Sequence, residues 1–197
     1  MAHQKMTKAE KSWIVYDVGN SALVLLATSV IPIYFSSLSP DGEVVVAWSY
    51  AETVASLIIA LLMPVLGSIA DMQGMKKKFI VGCVGTGVIA TVALGFVTTA
   101  LAFLIIYVIS SVALNSSMVF YDALLVDTTT DERMDEISSQ GYAWGYIGSC
   151  VPFIACLGVV LGYEALGITM QTAMQIAFII TGVWWAAFTV PLLKNVQ

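Results

Sequence analysis

The residues of this chain best suited to chemistry are three carboxylic acids inside long apolar segments: Glu52, Asp122 and Asp17. An acid in the middle of a membrane is unfavourable by roughly 2.5–3.5 kcal/mol, so Glu52 and Asp122 are expected to face protein or water. For Glu52 we favour a proton or cation site in a cavity over a protonated carboxyl that only joins two helices. For Asp122, a pathway role and a brace for the adjoining loop both stay open. Asp17 lies about 6 Å beyond Trp13 along a helix, close enough to reach the interface, and is interpreted as structural.

Amide and phenol groups accompany these acids. Asn20 and Asn115 could hydrogen-bond between helices or contact a solute, and both interpretations stay open. Tyr121, Tyr142 and Tyr146 could also hydrogen-bond a solute, but aromatic residues near helix ends more often form a belt at the membrane interface. We favour the belt.

The segments that carry these residues are long enough to cross a membrane. Hydrophobic residues make up 59% of the 197 residues, the mean hydropathy is +0.90, and a spanning helix needs roughly 20 apolar residues. We therefore expect an all-α membrane protein whose residues 1–197 form one six-helix bundle. The predicted spans are Trp13–Phe35, Val45–Ile69, Phe79–Thr99, Leu101–Leu125, Gln140–Leu161 and Met170–Leu193.

The basic residues predict the topology. All eight fall on one side of the six predicted spans, whereas the opposite loops carry only Asp41, Glu43 and Glu164 as charges. By the positive-inside rule, both termini are expected in the cytoplasm. The basic residues are Lys5, Lys8, Lys11, Lys76, Lys77, Lys78, Arg133 and Lys194.

Polar residues recur at helical spacing in four of the six spans, and such residues should face protein or water. The third and sixth spans are plainer, so we expect them to be peripheral. The stripes are Asp17, Asn20, Ser21 and Thr28 in the first span, Ser49, Glu52 and Ser56 in the second, Ser111, Asn115 and Asp122 in the fourth, and Tyr142, Tyr146, Ser149 and Cys156 in the fifth.

The turn after the second span, Gly67–Lys78, resembles the signature between the second and third helices of the major facilitator superfamily. In that family Gly67 would permit close packing, Gly74 would permit the turn, and Asp71 would form a switchable charge cluster with basic residues. Met72 and Met75 stand where many members have basic residues. The resemblance therefore implies a network shifted to Lys76 and Lys77.

Three further segments, Trp13–Ser21, Phe120–Leu125 and Ile137–Gly148, resemble the permeases related to autophagy protein 22, a branch of vacuolar amino-acid effluxers and bacterial relatives. The resemblance covers the amino-terminal half of a twelve-helix member. It implies a three-plus-three inverted repeat, with a second six-helix bundle needed to complete a transport site. It also implies a multi-pass protein of the plasma (inner) membrane of a prokaryote.

The expected function is a half-size secondary transporter of a small polar solute, with an amino acid implied by the resemblance. It would work by alternating access, as a homodimer or with a separate second half, and Glu52 and Asp122 would take part in proton coupling. The alternative is a regulatory or assembly subunit that does not transport. An enzyme is not expected, because the single histidine, His3, has no catalytic partner in the sequence. We expect no cofactor, no metal site and no nucleic-acid partner, but contact with membrane lipid.

Overall fold

The computed structural model describes residues 5–38 and 44–196, so His3, Asp41 and Glu43 lie outside the described residues. That part of the chain is helical and contains no strand. A 3₁₀ turn, Asp131–Arg133, precedes the seventh helix. The helices are α1 Lys8–Ser29, α2 Ile31–Leu38, α3 Val44–Ala70, α4 Lys76–Leu94, α5 Ala100–Ala123, α6 Leu125–Thr128, α7 Met134–Leu161 and α8 Met170–Asn195.

Five of these helices are long and apolar enough to cross a membrane: α3, α4, α5, α7 and α8. The pair α1 and α2 passes the same test together but is bent by 46°, and counting it as one span makes six. The first predicted span, Trp13–Phe35, covers this bent pair. Pro32 causes the break, because its nitrogen carries no hydrogen for the Thr28 carbonyl and its ring crowds that carbonyl.

Two other predicted boundaries were displaced. The third span ends at Leu94 rather than Thr99, and the close approach of Gly95 to the Gln175 backbone brings the chain against α8 at this point. The helix of the fifth predicted span, α7, starts at Met134 rather than Gln140, because residues 131–136 form the 3₁₀ turn and the first turn of α7. Acidic residues are favourable there, since they complement the positive end of the helix dipole.

The helices pack as a ring with one open side. α1 packs against α7 and α8, α4 packs against α5 and α8, and α3 packs against α5. Two buried apolar clusters hold the bundle at its two ends. One contains Trp13, Phe120 and Trp185. The other contains Phe103 and Phe178.

A close helix contact joins α1 to α7 through glycine. Built Cβ atoms on Gly141 and Gly148 would lie 2.7 Å from the Trp13 ring and 2.5 Å from Val18. Gly145 lies directly against Asp17, so this glycine face of α7 permits close packing. Gly158 has no such neighbour in the described chain, because no heavy atom lies within 4 Å of its built Cβ.

We expect opposite effects from one added methyl group at two positions of α7. Gly148→Ala should lower the free energy of unfolding by about 1–3 kcal/mol, because β-branched Val18 has little freedom to move aside. Gly158→Ala should raise it by up to about 1 kcal/mol, because alanine favours the helix and meets no neighbour. Thermal unfolding of both variants in detergent measures the difference. Equal effects would contradict the packing of α1 on α7.

Candidate functional site

A polar cavity of about 390 Å³ lies between α1, α3, α5 and α7. None of its lining residues comes from α4 or α8, the third and sixth spans, which agrees with their predicted peripheral positions. Six of the predicted site residues meet at this cavity: Asp17, Asn20, Glu52, Asn115, Tyr142 and Tyr146.

Glu52 is half-buried and receives a hydrogen bond from the hydroxyl of Tyr107. Tyr107 is itself buried and contacts the Trp48 ring, with 4.4 Å between ring centroids. These contacts hold the carboxyl where α3 meets α5. Sequence reasoning missed Tyr107, although it lies four residues before Ser111 and eight before Asn115, which places it on the same helix face.

Two polar residues of the α1 wall of the cavity are buried. Asp17 and Asn20 are 8% and 2% exposed. The Asn20 amide donates a hydrogen bond to the Met118 sulfur of α5, at 3.2 Å, and its oxygen accepts one from the Ser21 hydroxyl, at 3.4 Å. Asn20 therefore joins helices while it lines the cavity. Met118, which sequence reasoning missed, carries no polarity signal that could have revealed it.

Asn115 is placed differently from Asn20. It is half-buried on α5, and its amide donates to the Ser111 carbonyl of the same helix at 2.9 Å. Within the described residues it forms no hydrogen bond to a neighbouring helix, so the interpretation of Asn115 as a residue that joins helices gains no support there. Asn115 lines the same cavity as residues of α1 and α3.

The three predicted tyrosines have different environments. Tyr121 is only 2% exposed and stacks on Trp13 with 4.3 Å between ring centroids. This burial contradicts the aromatic-belt interpretation of Tyr121, because its ring completes the core between α1 and α5 instead. Its hydroxyl has no hydrogen-bond partner among the described residues. Tyr142 and Tyr146 are 65% and 66% exposed and form the cavity rim on α7.

Asp122 is exposed and does not line the cavity that contains Glu52. It lines a smaller cavity of about 250 Å³, together with Tyr121 and Ser138. The two cavities share Asp17, Met118 and Tyr142. Asp17 thus lies between two cavities, the one that Glu52 lines and the one that Asp122 lines.

The residues of the predicted switch motif lie at one end of the bundle. Gly74 has a φ of +74°, the left-handed conformation that favours glycine, which confirms the predicted turn. Gly67 has no heavy atom within 4 Å of its built Cβ, so the close packing expected there is not present in the described chain. Asp71 is exposed and lines a depression with Gly74, Lys76 and Lys77.

The lysines of this motif bond to other partners than Asp71. Lys76 forms an ion pair with Asp127 at 2.6 Å and donates to the Ala123 carbonyl at 2.9 Å. Lys77 donates to the Leu193 carbonyl at 3.2 Å. Within residues 5–38 and 44–196, Asp71 forms no ion pair. The turn therefore ties α4 to the ends of α5 and α8, and sequence reasoning did not identify Asp127.

A buried ion pair at the start of α1 was also missed. Glu10 is 2% exposed and lies 2.9 Å from the Arg133 guanidinium. Its carboxyl also accepts hydrogen bonds from the Thr7 backbone at 2.7 Å and from the Thr129 hydroxyl at 2.6 Å. Such a pair needs these additional bonds to offset the loss of hydration. The sequence pattern Thr7 to Glu10 matches a capping box and was the available signal.

We expect Glu52 and Tyr107 to be energetically coupled. A double-mutant cycle with Glu52→Ala and Tyr107→Phe should give a coupling of about 0.5–3 kcal/mol, the range of a hydrogen bond to a carboxyl group. Thermal unfolding of the purified variants measures it. The matched control is Ser110→Ala, which removes a hydroxyl bonded to Thr91 at 2.8 Å and should add independently to Glu52→Ala. Coupling no larger than in the control cycle would contradict the contact.

Among residues 5–38 and 44–196, no group of three or more histidine, cysteine or acidic residues is placed to hold a metal ion. The polar groups of the site are carboxyl, amide, hydroxyl and thioether groups around a space open on one side, and Val24, Leu25, Ala27 and Leu114 add apolar surface. Such a site can bind a small polar molecule and exchange protons with it or with water, by groups on four different helices.

Comparison with known proteins agrees with this geometry. The family profile described as "Vacuole effluxer Atg22 like" matches residues 42–197. The chain is 38% identical over 204 residues to the "Uncharacterized MFS-type transporter YxiO" of Bacillus subtilis (strain 168), covering 98% of this chain and 48% of that protein. The chain thus spans about half the length of this curated relative. No solved structure matches it. The chain therefore belongs to the Atg22-like vacuole effluxer family, within the major facilitator superfamily of transporters.

Proposed function

We propose that this chain supplies one six-helix half of a secondary active transporter for a small polar solute. The single observation that carries the proposal is the polar cavity between α1, α3, α5 and α7, which gathers Asp17, Asn20, Glu52 and Asn115 inside an otherwise apolar bundle. In a membrane such residues are costly unless they face protein or water, so their convergence favours a solute pathway.

The chemistry of the cavity suits a solute that carries both charge signs. The carboxyl groups of Asp17 and Glu52 suit an ammonium group, and the amide of Asn115 and the phenols of Tyr142 and Tyr146 can donate to a carboxylate. A volume of about 390 Å³ is sufficient for one small molecule. An amino acid is therefore the proposed solute class. The family also favours an amino acid as the solute, but only through the resemblance of this chain to amino-acid effluxers.

Glu52 is the proposed proton-coupling residue. It faces the cavity and hydrogen-bonds to Tyr107, so a change in its protonation would alter both the charge of the cavity and the contact between α3 and α5. Asp17 and Asp122 would carry protons further, because Asp17 borders both cavities and Asp122 lines the second one.

Alternating access would require a second bundle, because a single bundle forms one wall of the site. The rim residues Tyr142 and Tyr146 are exposed, and α3 packs against α5 but leaves Leu61 77% exposed. These features support a partner on the open side of the ring. The second bundle would be a second copy of this chain, a separately encoded half, or the remainder of a longer chain.

We propose that the protein lies in the cytoplasmic membrane of a prokaryote with six spans and both termini in the cytoplasm. The asymmetry of its basic residues supports this orientation. Asp71 would then lie at the cytoplasmic surface, exposed and available to the second bundle. A role for Asp71 in switching between states would follow from that contact.

The test of proton coupling is Glu52→Gln in vesicles that contain the complete transporter. With a proton gradient and a mixture of labelled amino acids, the wild-type protein should accumulate its solute above equilibrium. Glu52→Gln should abolish uphill accumulation while downhill exchange persists, because glutamine keeps the hydrogen bond but cannot carry a proton. The matched control, Glu164→Gln in the loop before α8, should leave accumulation intact. Unchanged uphill transport in Glu52→Gln would refute the role of Glu52.

The test of the second bundle is the mass of the protein in lipid nanodiscs. We expect a particle that contains at least two six-helix bundles whenever solute flux is detected in matched vesicles. Flux by a particle of one bundle would contradict alternating access between two bundles. A stable complex with an unrelated protein and no flux would instead support a regulatory or assembly subunit.

A further inference from the structure

A second opening in the bundle lies on the opposite face of α5 from the polar cavity. It has a volume of about 560 Å³ and lies where α3 and α4 both pack against α5, so that α5 forms its floor. Ile58 of α3, Gly82 of α4, and Val108 and Val112 of α5 line it, and its walls are almost entirely apolar. None of its lining residues borders the cavity that contains Glu52. We call it the α3–α4–α5 groove.

Among the described residues, Lys78 is the only charged one that lines the groove, and it lies at one end. The lining on α4 runs from Lys78 to Thr86, which is about 12 Å along a helix. One leaflet of the membrane has a hydrocarbon depth of about 15 Å, half of a core about 30 Å thick. The groove therefore matches one leaflet in length and has a cation at the headgroup end.

Lys78 differs from its two neighbours. Lys76 is bonded to Asp127 and Lys77 to the Leu193 carbonyl, whereas Lys78 is exposed and forms no hydrogen bond or ion pair within the described ranges. All three stand in the first turn of α4, where the positive end of the helix dipole disfavours a cation. A negatively charged ligand at Lys78 would relieve this repulsion.

We propose that the α3–α4–α5 groove binds an acyl chain of an anionic phospholipid whose headgroup phosphate contacts Lys78. The apolar walls contact the hydrocarbon chain. The Lys78 ammonium donates to the phosphate at the surface that the charge asymmetry predicts to be cytoplasmic, where anionic lipids attract basic residues. Gly82 keeps the groove open, because no heavy atom lies within 4 Å of its built Cβ. This proposal does not depend on the solute or on proton coupling.

The test of the charge is native mass spectrometry of the purified full chain in a neutral detergent. Phosphatidylglycerol and phosphatidylcholine with identical acyl chains are titrated separately. We expect the wild-type protein to bind phosphatidylglycerol about fivefold more tightly, the effect of one lysine at a membrane surface. Lys78→Gln should remove this preference. The control Lys11→Gln changes an exposed lysine in the first turn of α1, outside the groove, and should retain it.

The test of the groove is Gly82→Leu, which places a side chain inside it. The matched control is Gly85→Leu, since Gly85 also has open space at its built Cβ but does not line the groove. Thermal unfolding should show that both variants fold. Gly82→Leu should lose binding of both lipids at least severalfold, while Gly85→Leu should bind as the wild-type protein does.

Three results would overturn the proposal. The first is a retained preference for phosphatidylglycerol in Lys78→Gln, and the second is unchanged lipid binding in Gly82→Leu. The third concerns a different occupant, a second copy of the chain. In that case Gly82→Leu would shift the mass spectrum from dimer to monomer without changing the number of bound lipids per chain.

Discussion

Every polar side chain that enters the hydrocarbon layer must find a protein or water partner, and the arrangement of this bundle depends on that constraint. The described part of the chain meets it mainly in two ways. Some groups bond inside the core, as the Tyr16 hydroxyl does to Ser117 at 2.9 Å and the Trp13 indole does to the Tyr121 carbonyl at 3.0 Å. Others gather at one cavity, where Glu52 accepts a hydrogen bond from Tyr107 and has an open side. The functional groups are thus concentrated where a second bundle or water can supply further hydrogen-bond partners.

The glycine face of α7 makes this arrangement possible. Gly141, Gly145 and Gly148 let α1 approach so closely that Trp13, Asp17 and Val18 fill the space where side chains would stand. Asp17 of α1 therefore packs tightly against α7 and still borders both cavities. The Trp184 indole reinforces the same helix from the other side, by donating to the Val18 carbonyl at 3.0 Å. α1 is consequently the helix around which most of the site is arranged.

The predicted cytoplasmic end is tied together by charge. Glu10 and Arg133 join the start of α1 to the 3₁₀ turn before α7, and Lys76 and Asp127 join the start of α4 to α6. These contacts lie within this bundle. Asp71, by contrast, is left exposed on the turn between α3 and α4. This arrangement fits a bundle that holds its own helices together by ion pairs and leaves Asp71 exposed for contact with another surface.

The amino-acid sequence by itself determined the membrane class, the approximate spans and the four helices that carry polar stripes, because hydropathy and helical spacing are local properties of the chain. It also determined the glycine turn at Gly74. Only the tertiary structure decided which candidates meet. It separated Asp122 from Glu52, buried Tyr121 behind Trp13, and paired Lys76 with Asp127, since such contacts join residues far apart in the chain and depend on helix rotation and packing. Tyr107 shows most clearly the difference between sequence information and tertiary information. Its spacing placed it on the polar face, but only the contact between α3 and α5 made it the partner of Glu52.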